Sequence, residues 1–240
     1  MNNVKQSRRI QTSFLNGRER QLLLWLAARM PQWVTSDMLT VIGVFGAFVT
    51  GLGFALTNWG IGWLWLSTLG LFINWFGDSL DGTLARYRNT QRPIYGYYID
   101  HTIDCINEAF MFIGAGLSPL IHLNLALSAF TIYLMLTINV SMNAHLKSEF
   151  RLTYAKLGPT EFRLLIIIAN TLLICMPSLA SLHWTINFCS IALSFSIFDF
   201  LALLICFALS VIYLTTIIGD ARRYASIDPL PKRDASSNSR

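Results

Sequence analysis

Between Met38 and Thr57 the chain runs for twenty residues without a charge. At ~1.5 Å per residue, such a helix is about as long as a bilayer's apolar core is thick. Five more stretches read as spans: Ile61–Gly77, Gly96–Pro119 (acidic at its start and apolar after), Leu123–Ala144, Leu164–Leu182 and Phe200–Ile218. Composition agrees. Hydrophobic residues make up 54% of the chain and charged ones 13%, with a mean hydropathy of +0.50, whereas soluble domains carry roughly 25% charge. The predicted fold is all-α: a polytopic membrane bundle of six transmembrane helices with an N-terminal interfacial amphipathic helix.

That helix is read from RERQLLLWLAARM, where Leu22, Leu26 and Met30 share a face. It is too short to span, so it lies on the membrane or packs on the rest of the protein. Pro31 ends it, and Ser36 or Asp37 is the expected cap of the next helix. Residues 1–37 form the arm and interfacial helix, 38–219 the membrane domain, and 220–240 a polar tail that is expected to be disordered. Residues 183–199 read either as a loop dipping into the bilayer or as an extension of the sixth helix. The net charge of +5 is concentrated in the N-terminus, the Arg86–Arg92 turn, the Lys147–Arg163 loop and the tail. Six spans place all four on one side, so both termini are expected in the cytoplasm. The four cysteines and four histidines show no metal-binding spacing and no disulfide framework.

Four aspartates interrupt this apolar pattern: Asp78 and Asp81, then Asp100 and Asp104. Spacings of three and four put each pair on one helix face. The basic turn between them sets two helix ends side by side. Clustered carboxylates repel, and a hard divalent cation with oxygen ligands relieves that repulsion. Gly82, Ala85 and Gly96 leave room beside the acids, and Arg86 is placed to meet an anion. Metal, small residues and arginine together describe a site for a diphosphate ester. Glu108 lies one turn deeper than Asp104, and Asn74 one turn before Asp78. Each either supports the site from behind or makes a purely structural hydrogen bond. Asn139, Ser141, Asn143 and His145 line the cavity or bond to neighbouring helices. In Gly158-Pro159-Thr160-Glu161, Thr160 can cap a helix and Glu161 suits its first turn, within reach of the site as a further support. Lys147, Arg151, Lys156 and Arg163 either bind an anionic acceptor or are ordinary positive-inside charges.

The pattern D-x2-D-G-x2-A-R-x9-G-x3-D-x3-D, read at Asp78, Asp81, Gly82, Ala85, Arg86, Gly96, Asp100 and Asp104, resembles the signature of the CDP-alcohol phosphotransferases. The stretch SDMLTVIG resembles the family's first-helix start, with Asp37 where asparagine is more usual. The resemblance implies a phospholipid-biosynthesis enzyme of the inner membrane or its equivalent. It would transfer a substituted phosphate from a CDP-alcohol, CDP-diacylglycerol foremost, to an acceptor alcohol with release of CMP. Asp78, Asp81, Asp100 and Asp104 would hold one or two Mg²⁺ or Mn²⁺ ions. Asp104 would serve as ligand or general base, and Asp78, Gly82, Ala85, Arg86 and Gly96 would hold the CDP moiety. The resemblance also implies a homodimer and leaves the acceptor open. CDP-choline or CDP-ethanolamine transfer to diacylglycerol is the alternative within the family. A divalent-cation channel or carrier is the alternative outside it, although a cation path gains nothing from Arg86.

Overall fold

A computed structural model describes residues 8–10, 16–147, 149–151, 159–188 and 191–230. Seven helices dominate it: α1 (Asn16–Arg29), α2 (Ser36–Leu56), α3 (Leu64–Tyr87), α4 (Pro93–Gly116), α5 (Leu123–Lys147), α6 (Pro159–Cys175) and α7 (Ile197–Ile227). Two short two-stranded sheets accompany them. Strand β1 (Arg8–Ile10) pairs in parallel with β2 (Glu149–Arg151), and β3 (His183–Phe188) pairs antiparallel with β4 (Ile191–Ser196). The protein is an all-α membrane protein. By length and composition, Ser36–Trp59, Leu123–Asn143 and Ile197–Ile227 can each cross a bilayer.

The centre of the bundle is the α2–α3 pair, which approaches through glycines. A Cβ at Gly46 would fall on the backbone of Asn74, one at Gly53 on Ser67, and one at Gly77 on Gly43. On its other side α2 meets α4, where Gly51 and Gly114 lie against each other. In lipid, close packing of small residues does the work that water-driven burial does in soluble proteins. Apolar side chains accordingly face outward on α2 (Val41, Phe45, Phe48) and along α7 (Leu204, Phe207, Leu214).

Helix α1 is packed on one side and bare on the other. Leu23 and Ala27 are buried with Leu39, Leu80 and Leu84, whereas Leu22, Leu24 and Trp25 are exposed. Polar bonds pin it further. Glu19 Oε1 accepts from Trp75 Nε1 of α3 at 2.9 Å and from Thr160 Oγ1 of α6 at 2.6 Å. Just beyond the helix, the Arg88 guanidinium donates to the carbonyls of Met30, Pro31 and Val34.

Several boundaries differ from expectation. The cap of α2 is Thr35, whose Oγ1 accepts from Met38 N–H at 3.2 Å. Ser36 reaches instead to the Asp81 carbonyl at 2.9 Å. Helix α6 stops at Cys175, short of Leu182, because Met176 precedes Pro177 and is driven out of the helical region (φ −129°, ψ 70°). Residues 183–188 and 191–196 form the β3–β4 hairpin, in segments rich in Ile, Thr and Phe, and the backward extension of the last helix is limited to its first turn, Ile197–Asp199. Helix α7 continues past Ile218 to Ile227, so the first part of the expected tail is helical. Bonds to α5 hold it: Asn143 Nδ2 donates to Asp220 Oδ2 at 2.6 Å, and Tyr224 Oη donates to Asn143 Oδ1 at 2.6 Å. Asn139 and Asn143 therefore bond to a neighbouring helix. Ser141 bonds the Thr137 carbonyl of its own helix. Residues 1–7, 11–15, 152–158 (with Lys156 and Gly158) and 231–240, Cys189, and the side chains of His145, Lys147 and Arg151 lie outside the described residues. Cys105, Cys175 and Cys206 are free thiols.

Candidate active site

The turn between α3 and α4 decides what meets what. Helix α3 ends at Tyr87, and Asn89 takes a left-handed conformation (φ 55°). Asparagine tolerates that region because its short polar side chain bonds locally. Thr90 N–H then bonds the Ala85 carbonyl at 2.9 Å. Pro93 opens α4 at a position where a missing N–H costs nothing. The chain has reversed within a few residues, so the last turns of α3 lie beside the first turns of α4. Arg92 fastens the turn to α2 through both oxygens of Asp37, at 2.6 and 2.5 Å. Those bonds push the Arg92 guanidinium above its already high ordinary pKa, so it stays charged at any physiological pH. Asp37 is thereby explained as the partner of Arg92.

Asp78 of α3 and Asp100 and Asp104 of α4 come together. Each offers a carboxylate oxygen, and these atoms all lie within 4.8 Å of one another. Asp81 faces elsewhere. Its Oδ2 accepts from Thr40 Oγ1 of α2 at 2.7 Å, and its Oδ1 accepts from Gly82 N–H. Three of the four aspartates therefore form the cluster, and the fourth is bonded into the α2–α3 contact beside it.

Arg163, on the second turn of α6, donates from Nη2 to Asp78 Oδ2 at 2.5 Å. Its side chain and that of Asp78 are 15% and 23% exposed, so the pair is largely shielded from water. The sequence offered Arg163 only as one of four basic residues; nothing in the spacing marked it as the one that reaches the acids. Thr40 is a second residue that sequence reasoning missed. It sits among apolar residues of α2, and its only signal is position, one turn after Ser36 on the same face.

The remaining residues fall in three places. Arg86 lies over Gly82: a Cβ there would stand 3.3 Å from Arg86 Nη1, and Arg86 Nη2 bonds Thr83 Oγ1 at 3.2 Å. Ala85 is on the next turn, half-buried. Gly96 opens onto space, with nothing within 4 Å of an added Cβ. Asn74 is fully buried and turned to α2, donating to the Gly43 carbonyl at 3.0 Å. Glu108 points into the bundle, bonded to Tyr133 of α5, with Oε2 buried and unbonded. Glu161 occupies the first turn of α6, two residues before Arg163. His101 Nδ1 lies 3.0 Å from the Tyr97 carbonyl and 3.9 Å from Asp100 Oδ2.

Three carboxylates against one guanidinium leave the cluster anionic. All its donors are oxygen, the preference of Mg²⁺ and Mn²⁺. Oxygens on opposite sides of a Mg²⁺ ion stand about 4 Å apart, so a 4.8 Å spread closes on one ion with small side-chain rotations. The residues fit the group.

A profile described as CDP-alcohol phosphatidyltransferase matches residues 33–198, more than half of the chain. The chain belongs to the CDP-alcohol phosphatidyltransferase family. It is similar to cholinephosphotransferase 1 of Mus musculus, 34% identical over 100 residues, and of Danio rerio, 33% over 96 residues. Those matches cover 39% and 38% of this chain and 25% of each relative. It is also similar to phosphatidylinositol phosphate synthase of Cutibacterium acnes, 37% identical over 86 residues, covering 35% of this chain and 38% of that protein. The chain thus spans well under half the length of these relatives. The family's description is that of transferases, and none of these comparisons favours the channel reading.

Proposed function

We propose that this chain is an integral membrane enzyme that transfers a phosphatidyl group from CDP-diacylglycerol to an acceptor alcohol and releases CMP, with Mg²⁺ or Mn²⁺. The observation that carries this reading is the set of carboxylates from two facing helices, Asp78, Asp100 and Asp104, within 4.8 Å. The second reading, transfer of phosphocholine or phosphoethanolamine to diacylglycerol, is favoured by the names of the cholinephosphotransferase relatives. Both share one reaction. The acceptor hydroxyl oxygen forms a bond to the β-phosphorus as the bond from that phosphorus to the CMP oxygen breaks in line.

Asp78, Asp100 and Asp104 would hold the cation, and Asp81 stands beside them, oriented by Thr40 and Gly82. When bound, one or two such ions supply positive charge against the diphosphate and the departing CMP. Asp104 takes the acceptor's proton as its oxygen attacks. Gly82, Ala85 and Gly96 leave space for the nucleotide, Asp78 borders it, and Arg86 faces its phosphates. Asn74, Glu108 and Glu161 stand behind these groups. In this reading the chain crosses the membrane six times, through α2 to α7. Helix α1 lies in the cytoplasmic interface, the site opens to the cytoplasm, and two copies associate as a homodimer.

Purified protein offered CDP-diacylglycerol with a panel of hydroxyl acceptors, and separately CDP-choline with diacylglycerol, tests both readings through CMP release. Release from the first donor alone selects the first reading. Release from neither, with Mg²⁺ and Mn²⁺ present, overturns both.

A further inference from the structure

Helix α1 carries a single acid, Glu19, on the face that also holds Leu23 and Ala27. That face packs on Leu39 of α2 and on Leu80 and Leu84 of α3, so the helix carries Glu19 into the bundle. There its Oε1 accepts two hydrogens, from Trp75 Nε1 of α3 at 2.9 Å and from Thr160 Oγ1 of α6 at 2.6 Å. Each donor sits three residues before a residue of the aspartate site: Trp75 before Asp78, and Thr160 before Arg163. Three residues are ~4.5 Å along a helix and keep both side chains on one face. Asp78 and Arg163 then bond each other at 2.5 Å. Helices α3 and α6 are thus bridged through Glu19 and, one turn along each helix, directly.

The start of α6 depends on such bridges. The buried side chains of this helix, Asn170 and Leu173, lie in its second half, where Asn170 bonds Ser67 and Thr68 of α3. In its first two turns Phe162, Leu164 and Leu165 are exposed, so packing holds this end weakly. Keeping a long arginine side chain in one geometry costs rotamer entropy, and a backbone that moves adds to the cost.

We propose, on the cation reading given above, that Glu19 is a positioning residue for the aspartate site: by tying Thr160 to Trp75 it seats Arg163 on Asp78 and so sets how tightly the cluster takes a divalent cation. Arg163 covers an oxygen that the cation would use, so whatever seats Arg163 weakens cation binding. Glu19 acts through where its oxygen stands. An amide oxygen in the same place would accept the same two hydrogens.

Mn²⁺ affinity is read by electron paramagnetic resonance on the full-length protein in nanodiscs, beside the melting temperature. Thr160→Val removes one donor, and Glu19→Ala removes the shared acceptor. Each should tighten Mn²⁺ binding by about threefold or more, up to the roughly tenfold expected of Arg163→Gln. Glu19→Gln should bind Mn²⁺ as the wild type does. In an Arg163→Gln background the group that Glu19 seats is gone, so neither Thr160→Val nor Glu19→Ala should change the affinity further. A merely structural role would lower the melting temperature alike in both backgrounds and leave Mn²⁺ affinity unmoved. Glu19→Ala can fail to fold; Thr160→Val then carries the test. Unchanged or weaker affinity in Thr160→Val, or an equal shift with and without Arg163, overturns the positioning role and leaves the cation site standing. No saturable Mn²⁺ binding by the wild type overturns both.

Discussion

Asp104 and Arg163 carry the sharpest predictions for single residues. If Asp104 acts chiefly as the base, Asp104→Asn should bind CDP and Mn²⁺ nearly as the wild type does while turnover falls by about 10² to 10⁴. Asp100→Asn should instead lose metal-dependent CDP affinity and turnover together. Isothermal titration beside a CMP-release assay separates the two patterns, and near wild-type turnover in Asp104→Asn would remove it from the reaction. Arg163 is a cation competing for a metal ligand. Taking it away leaves Asp78 Oδ2 without that partner and makes the cluster more anionic, so Arg163→Gln should tighten Mn²⁺ binding by about tenfold, read by electron paramagnetic resonance. Weaker binding in that variant would mean that Arg163 positions Asp78 and does not oppose the metal.

Among the elements, α2, α3 and α4 form a unit whose spacing is set by missing side chains. Gly77→Ala should drive a methyl into the backbone of Gly43 and cost about 1–3 kcal/mol or block folding, because two backbones must shift. Gly96→Ala meets open space and should leave thermal stability unchanged. Any effect of Gly96→Ala on CDP affinity would then report on the space itself. The contrast also marks what could be read from the sequence. The long helices, the acids on them and the basic turn were legible because apolar runs and helical spacing are local signals. Which small residues face a helix and which face a ligand was not, since Gly77 and Gly96 look alike until α2 is placed. Asp81 shares a face with Asp78 by spacing, yet a threonine forty-one residues earlier accounts for its orientation. Arg163 was hidden among loop charges for the same reason. The hairpin was missed because short apolar segments do not separate strand from helix by period.

For the whole molecule, the proposed orientation puts the α3–α4 turn and the β3–β4 hairpin on opposite sides of the bilayer. With the native cysteines replaced, Thr90→Cys and Ser181→Cys should react with an impermeant maleimide from opposite faces of sealed vesicles. Labelling from the same face would break the six-span arrangement. Chelation should abolish transfer while helical circular dichroism persists, because α2 and α3 are held by glycine packing and by the hydrogen bonds of Asn74, Ser36 and Thr40, none of which needs a metal. The shared oxygen of Glu19 adds a constraint of another kind, on the order of assembly. Helix α1 bonds through one atom both to Trp75 and to Thr160, a residue made 141 positions after Glu19. Helix α1 therefore cannot complete its docking until α6 has been made.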